Sequence, residues 1–126
     1  MSQAATSLQA SGGVRQLCQV VVDANASGDQ VLMTATTKTY VTDVIIERTS
    51  GSALTIAVIK VGFGASANDV VASQALSGLG AIGLAIDVLP IAGFAPGAAA
   101  QTLKANMSTL AGGAATITIT VMGVGG

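Results

Sequence analysis

Histidine and tryptophan are absent from this 126-residue chain, cysteine and tyrosine occur once each, and phenylalanine and proline twice each. Each scarcity excludes chemistry. Without histidine there is no Ser–His–Asp or Cys–His relay and no imidazole metal ligand, and no Ser-x-x-Lys spacing stands in for the missing base. The single cysteine, Cys18, has no partner for an internal disulfide. It lies in an apolar-polar run, Leu17-Cys18-Gln19-Val20, that reads as a small buried hydrophobe rather than an activated thiol. Three aromatics offer no platform for stacking bases, and five Lys/Arg against six Asp/Glu form no basic stripe, so a nucleic-acid partner is not expected. Charged residues amount to 9% of the chain, where about a quarter is ordinary.

What the chain has instead is small apolar and hydroxyl-bearing residues. Hydrophobic residues make up 51%, which excludes a disordered polymer. The length suits one domain able to bury about two thirds of its surface. Residues 1–13 lack the basic and apolar segments of a secretory signal. Residues 76–100 are the most apolar stretch, but Asp87, Pro90 and Pro96 interrupt them and no basic or aromatic anchors flank them, so a membrane helix is not expected.

Apolar residues recur with period two between turn clusters, the mark of β-strands. Strands are expected over residues 14–24, 30–36, 39–49, 53–61, 84–91, 102–107 and 115–122. In the first, Val14, Gln16, Cys18, Val20 and Val22 are predicted to face inward; in the third, Tyr40, Val44 and Ile46 share one face. Ser50-Gly51-Ser52 is expected to turn the chain back into residues 53–61 as a central hairpin. Pro90, near the end of its strand, argues for an edge position or a bulge there. In the last, Ile117, Ile119 and Val121 alternate with Thr116, Thr118 and Thr120, the clearest half-buried pattern present. One or two helical turns over residues 69–76, capped by Ser66 or Asn68, are the only helix expected. The predicted fold is all-β: a single jelly-roll-like antiparallel β-sandwich over residues 14–126, preceded by an extended N-terminal arm, residues 1–13.

The motifs that could carry chemistry fail on context. Gly78-Leu79-Gly80-Ala81-Ile82-Gly83 matches the dinucleotide fingerprint, yet Pro90 follows closely, no long helix does, and Leu103 stands where the acidic ribose ligand would be. The carboxylates Asp23, Asp29, Asp43, Glu47, Asp69 and Asp87 show no calcium-loop spacing. Threonine alternation at 34–39 and 116–120 reflects strand propensity rather than an ice-binding ladder, since no repeat accompanies it. No cofactor, metal, small-molecule substrate or catalytic residue is expected. A surface so poor in charge desolvates easily and suits close packing against copies of itself or a larger assembly.

Several segments carry a family likeness: Asn25-Ala26-Ser27-Gly28-Asp29 before a short strand, Tyr40-Val41-Thr42-Asp43-Val44-Ile45-Ile46 followed by Thr49-Ser50-Gly51-Ser52, Ala67-Asn68-Asp69-Val70-Val71, and Gly113-Ala114-Ala115-Thr116 opening the final strand. In these the chain resembles the small jelly-roll virion proteins of tailed bacteriophages, which include capsid cement or decoration proteins. It departs from them at Met122-Gly123-Val124, where an aromatic is common. The resemblance implies a non-enzymatic structural protein, made in the bacterial host cytoplasm and placed on the capsid surface of the virion. There a homo-oligomer, with a trimer favoured, would fasten neighbouring copies of the major capsid protein. Residues 1–13 would then be the attachment arm, and Leu8, its one large apolar residue besides Met1, with Gln9 and Val14 the expected assembly contacts. The competing expectation is a tail-fibre or receptor-binding module that takes carbohydrate. Sugar rings usually need an aromatic to stack on, and Tyr40, Phe63 and Phe94 are the candidates.

Overall fold

The strict alternation of Ile117, Ile119 and Val121 with threonines makes the C-terminal strand the spine of the molecule, its apolar set fully buried and its hydroxyl set on the outer face. The computed structural model describes residues 14–91 and 96–126. They form eight strands: β1 Arg15–Asp23, β2 Asp29–Thr34, β3 Tyr40–Gly51, β4 Val58–Gly62, β5 Val71–Ala75, β6 Ala85–Val88, β7 Thr102–Thr109 and β8 Ala115–Val124. Two antiparallel four-stranded sheets result, ordered β1-β8-β3-β6 and β2-β7-β4-β5. First strand pairs with last, second with seventh, third with sixth and fourth with fifth. A ribbon of nested hairpins rolled so that successive pairs fall in opposite sheets is the jelly roll. The fold is thus an all-β sandwich, as the period-two pattern predicts.

The core lies between the sheets, built from β-branched and leucine side chains such as Val22, Val44, Ile46, Ile59, Leu103, Ile117 and Ile119, all essentially without exposure. Burying each is worth about 1.5–3 kcal/mol. The first sheet has an unusually regular centre. Four rungs cross all of its strands: Cys18–Val121–Val44–Val88, Gln19–Thr120–Ile45–Asp87, Val20–Ile119–Ile46–Ile86 and Val21–Thr118–Glu47–Ala85. The first and third of these face the core and the other two face outward.

Four expectations need correction. Residues 71–75 are strand β5, not helix. Asp69 does not open a helix but ties the preceding loop, accepting from the Phe63 and Gly64 amides at 2.7 and 3.1 Å, and β-branched Val70 and Val71 are drawn into the core beside β4. Local capping signals lose to cross-strand pairing there. The turn at Gly51 does not make a hairpin of β3 and β4. Both flanks of β3 are taken by β8 and β6, so residues 52–57 cross to the other sheet, where β4 lies centrally between β7 and β5. Tyr40 does not share a face with Val44 and Ile46, because a bulge between Val41 and Asp43 changes the phase of β3 and turns Val41 inward. A second bulge, between Gln16 and Cys18, likewise leaves Val14 and Gln16 exposed, and only Cys18, Val20 and Val22 of the predicted set turn toward the core. Of the two readings of Pro90, the edge is the one observed: β6 closes the first sheet without a bulge and ends at Val88, before the proline.

Candidate interaction surface

Cys18 sits half-buried on β1, where burial pushes its thiol above the ordinary range and a backbone hydrogen bond at Val121 opposes this only in part, so the thiolate is disfavoured. Among the described residues, no three His, Cys, Asp or Glu side chains are grouped to hold a metal ion. Residues 78–83 lie in the loop between β5 and β6, with no helix after them to bind a pyrophosphate. No helix among the described residues is long and apolar enough to cross a membrane. Of the sugar-stacking candidates, Phe63 is buried in the core. Tyr40 is exposed with the Lys38 ammonium 5.8 Å from its ring centre, and Phe94 lies outside the described residues. Among the expected assembly contacts, Val14 is 61% exposed, while Leu8 and Gln9 lie outside the described residues.

One buried cation shapes the surface. Arg48, on the inward side of β3, is 9% exposed and has no carboxylate beside it. Its guanidinium donates instead to the carbonyls of Leu79 and Gly51, each at 3.2 Å. Those bonds hold the loop of residues 76–84 against the end of the first sheet, and the backbone amide of Arg48 extends the pairing by donating to Leu84 at 3.0 Å. The loop therefore leads into β6 as a hydrogen-bonded continuation of the sheet edge.

The edge so formed carries a run of exposed apolar side chains. Ile82, Leu84, Leu89 and Ile91 are all exposed within ten residues, Leu89 by 71%. Sheet edges are normally blunted by bulges, charges or covering loops. Every other strand pairing among the described residues contains a register shift, whereas β3 and β6 pair without one. Only Asp87 places a charge on β6 itself. The sequence signals Pro90 as an edge marker but not this regularity, which depends on bulges elsewhere.

Asp87 shares the outer face with Asp43. Lost hydration, then the charge of Asp43 and a hydrogen bond with it, hold the Asp87 carboxyl above the usual aspartate range. A carboxyl whose folded value lies above its unfolded value stabilises the fold fully at low pH, and that contribution is lost as pH rises through the folded value. Asp87→Asn is accordingly expected to be the more stable protein at pH 7, by about 0.5 kcal/mol as for other exposed charge pairs. The advantage should vanish at pH 3.5, and thermal unfolding of both proteins at the two pH values measures it; an advantage independent of pH would contradict the pairing.

No family model and no curated protein sequence matches this chain. Among solved structures it is similar to a chain described as "Cyanophage Pam1 capsid asymmetric unit", with 11% sequence identity and a TM-score of 0.47 over 90% of this chain and 86% of that one.

Proposed function

We propose that the chain is a non-enzymatic structural protein of a phage particle, a capsid cement or decoration protein that self-associates, with a trimer favoured, and fastens neighbouring copies of the major capsid protein. The observation that carries this reading is the open, regular β6 edge with its exposed Leu84 and Leu89, in a chain that has only 9% charged residues to keep copies apart. The segment-level likeness to small jelly-roll virion proteins and the jelly-roll strand order support it. No covalent step is required: apolar and hydroxyl-bearing faces bury between shell subunits and resist internal pressure by added contact energy. Val14 and the preceding residues, with Leu8 and Gln9, serve as attachment contacts in this reading.

Two measurements test it. Light scattering after size exclusion should give a mass above that of one chain, and the protein should cosediment with shells of the phage that encodes it. Deleting residues 1–13 should weaken that attachment by about tenfold or more while leaving the thermal transition of the sandwich nearly unchanged. Equal attachment by the shortened protein would remove the arm from the proposal, and a lost folding transition would make the segment part of the core.

A further inference from the structure

Among the described residues the first sheet ends in two edge strands, β1 and β6, that have no further strand beside them and are joined by the four unbroken rungs, and their hydrogen-bonding phases match. Arg48 donates to the Leu84 carbonyl at 3.0 Å, so even-numbered residues of β6 point their backbone groups at β3 and those of Ala85 and Asp87 point outward. On β1, the Asp23 amide donates to the Gln30 side chain at 2.9 Å and the Asp23 carbonyl accepts from it at 2.8 Å. The backbone of Asp23, and by period two that of Val21 and Gln19, therefore points away from β8. In both edges the outward-pointing backbone belongs to residues whose side chains stand on the outer face. Along the sheet, Val21 shares a rung with Ala85 and Gln19 shares one with Asp87.

We infer that the β1 edge of one copy pairs antiparallel with the β6 edge of the next, continuing the first sheet from molecule to molecule in unshifted register. The direction follows from the strand order, since neighbours alternate and a fifth strand beside β6 must run as β1 does. Val21 and Ala85, and Gln19 and Asp87, then each exchange a pair of N–H···O bonds. Val21, 65% exposed in the single chain, is covered, and one Gln19 amide hydrogen, the other being directed at Thr120 at 2.9 Å, lies beside the Asp87 carboxylate. A second copy's β6 is the poorer occupant of a β6 edge. It brings Asp87 close to another Asp87 when the first is already burdened by Asp43. A β1-to-β6 contact uses different patches on the two partners, so it closes into a ring or continues as an open chain. This inference rests on the self-association proposed above and specifies its surface.

Proline tests it without disturbing the ladders inside the molecule, because at positions 21 and 85 the amide that proline lacks is one that points outward. Val21→Pro blocks the β1 edge and leaves β6 intact, and Ala85→Pro does the reverse. Each variant alone is expected to sediment as a monomer under conditions where the unaltered chain is assembled. An equimolar mixture is expected to give a one-to-one dimer and nothing larger, since one productive edge remains on each partner. Val21→Glu and Ala85→Glu, which keep the backbone and place a carboxylate in the contact, should repeat the result if a proline variant loses its thermal transition. A Val21 variant that still associates by itself would overturn the pairing in favour of β6 with β6, and variants that assemble as the unaltered chain does, or a mixture that stays monomeric, would also overturn it. If the unaltered chain is itself monomeric, the self-association of the proposed function fails as well, so the two failures are distinguishable.

Discussion

Alanine at position 51 is expected to destabilise the fold severely, because it meets both a left-handed backbone and a collision with the neighbouring strand. Gly51 ends β3 at φ +89, opposite Ala115, and a Cβ built there would lie 2.2 Å from the Ala114 carbonyl oxygen and 2.6 Å from the Ala115 Cα. The left-handed backbone alone costs an ordinary residue about 1–2 kcal/mol. The rest cannot be relieved by turning a side chain, because the obstructing atoms are backbone of β8. Relief requires the end of β3 to draw away from β8, which also disturbs the carbonyl that Arg48 bonds at 3.2 Å and, through Arg48, the 76–84 loop. A loss of more than about 3 kcal/mol is expected, a large part of the 5–15 kcal/mol typical of such domains. Gly28→Ala is the control: Gly28 has φ +90 with no atom within 4 Å of the added carbon, so only the backbone strain of about 1–2 kcal/mol should appear. Urea unfolding of the two variants measures the difference. Equal losses would mean that the β3–β8 junction accommodates the extra atom.

Ile119→Ala should produce a comparable loss by a different route. Ile119 is fully buried at the middle of β8, flanked in its rung by Val20 and Ile46 and covered by the opposite sheet. Removing three carbons leaves a hole that strands bonded on both sides cannot close, which places the expected cost at about 3–5 kcal/mol. Ile119→Val, which removes one carbon, should cost about 1 kcal/mol. The edge positions offer a contrast: at Leu89, exposed by 71%, truncation to alanine should change the unfolding free energy of the isolated chain by no more than about 0.5 kcal/mol. A loss below about 1 kcal/mol for Ile119→Ala would show that the two sheets close over the gap.

Much of the architecture is legible from short stretches of chain. Ile117, Ile119 and Val121 against three threonines announce a half-buried strand because a strand's side chains alternate whatever it pairs with. Pro90 marks an edge because its ring nitrogen cannot donate to a neighbour, and β6 is an edge. Cys18 reads as a small buried hydrophobe from its apolar neighbours, but a place on the outermost strand of the sheet leaves it only half-buried. Residues 69–76 mislead because Asn68 and Asp69 are as good at closing a loop as at capping a helix, and only the neighbouring β4 decides between them. The inward placement of Val14 and the phase of Tyr40 fail because one inserted residue in a bulge reverses every side chain beyond it.

Composition and period by themselves determine that this chain is an all-β domain, poor in the groups that catalysis, metal binding and nucleic-acid recognition require, with a surface of small uncharged side chains. Those properties belong to individual residues and their nearest neighbours along the chain. The candidate interaction surface does not. Only the tertiary structure decides that β6 is left unbulged, that Val21 and Ala85 stand on one rung, and that the free backbone groups of β1 and β6 share a phase. Each of these depends on hydrogen bonds between strands tens of residues apart, whose register is set by packing across the sandwich rather than by any local preference.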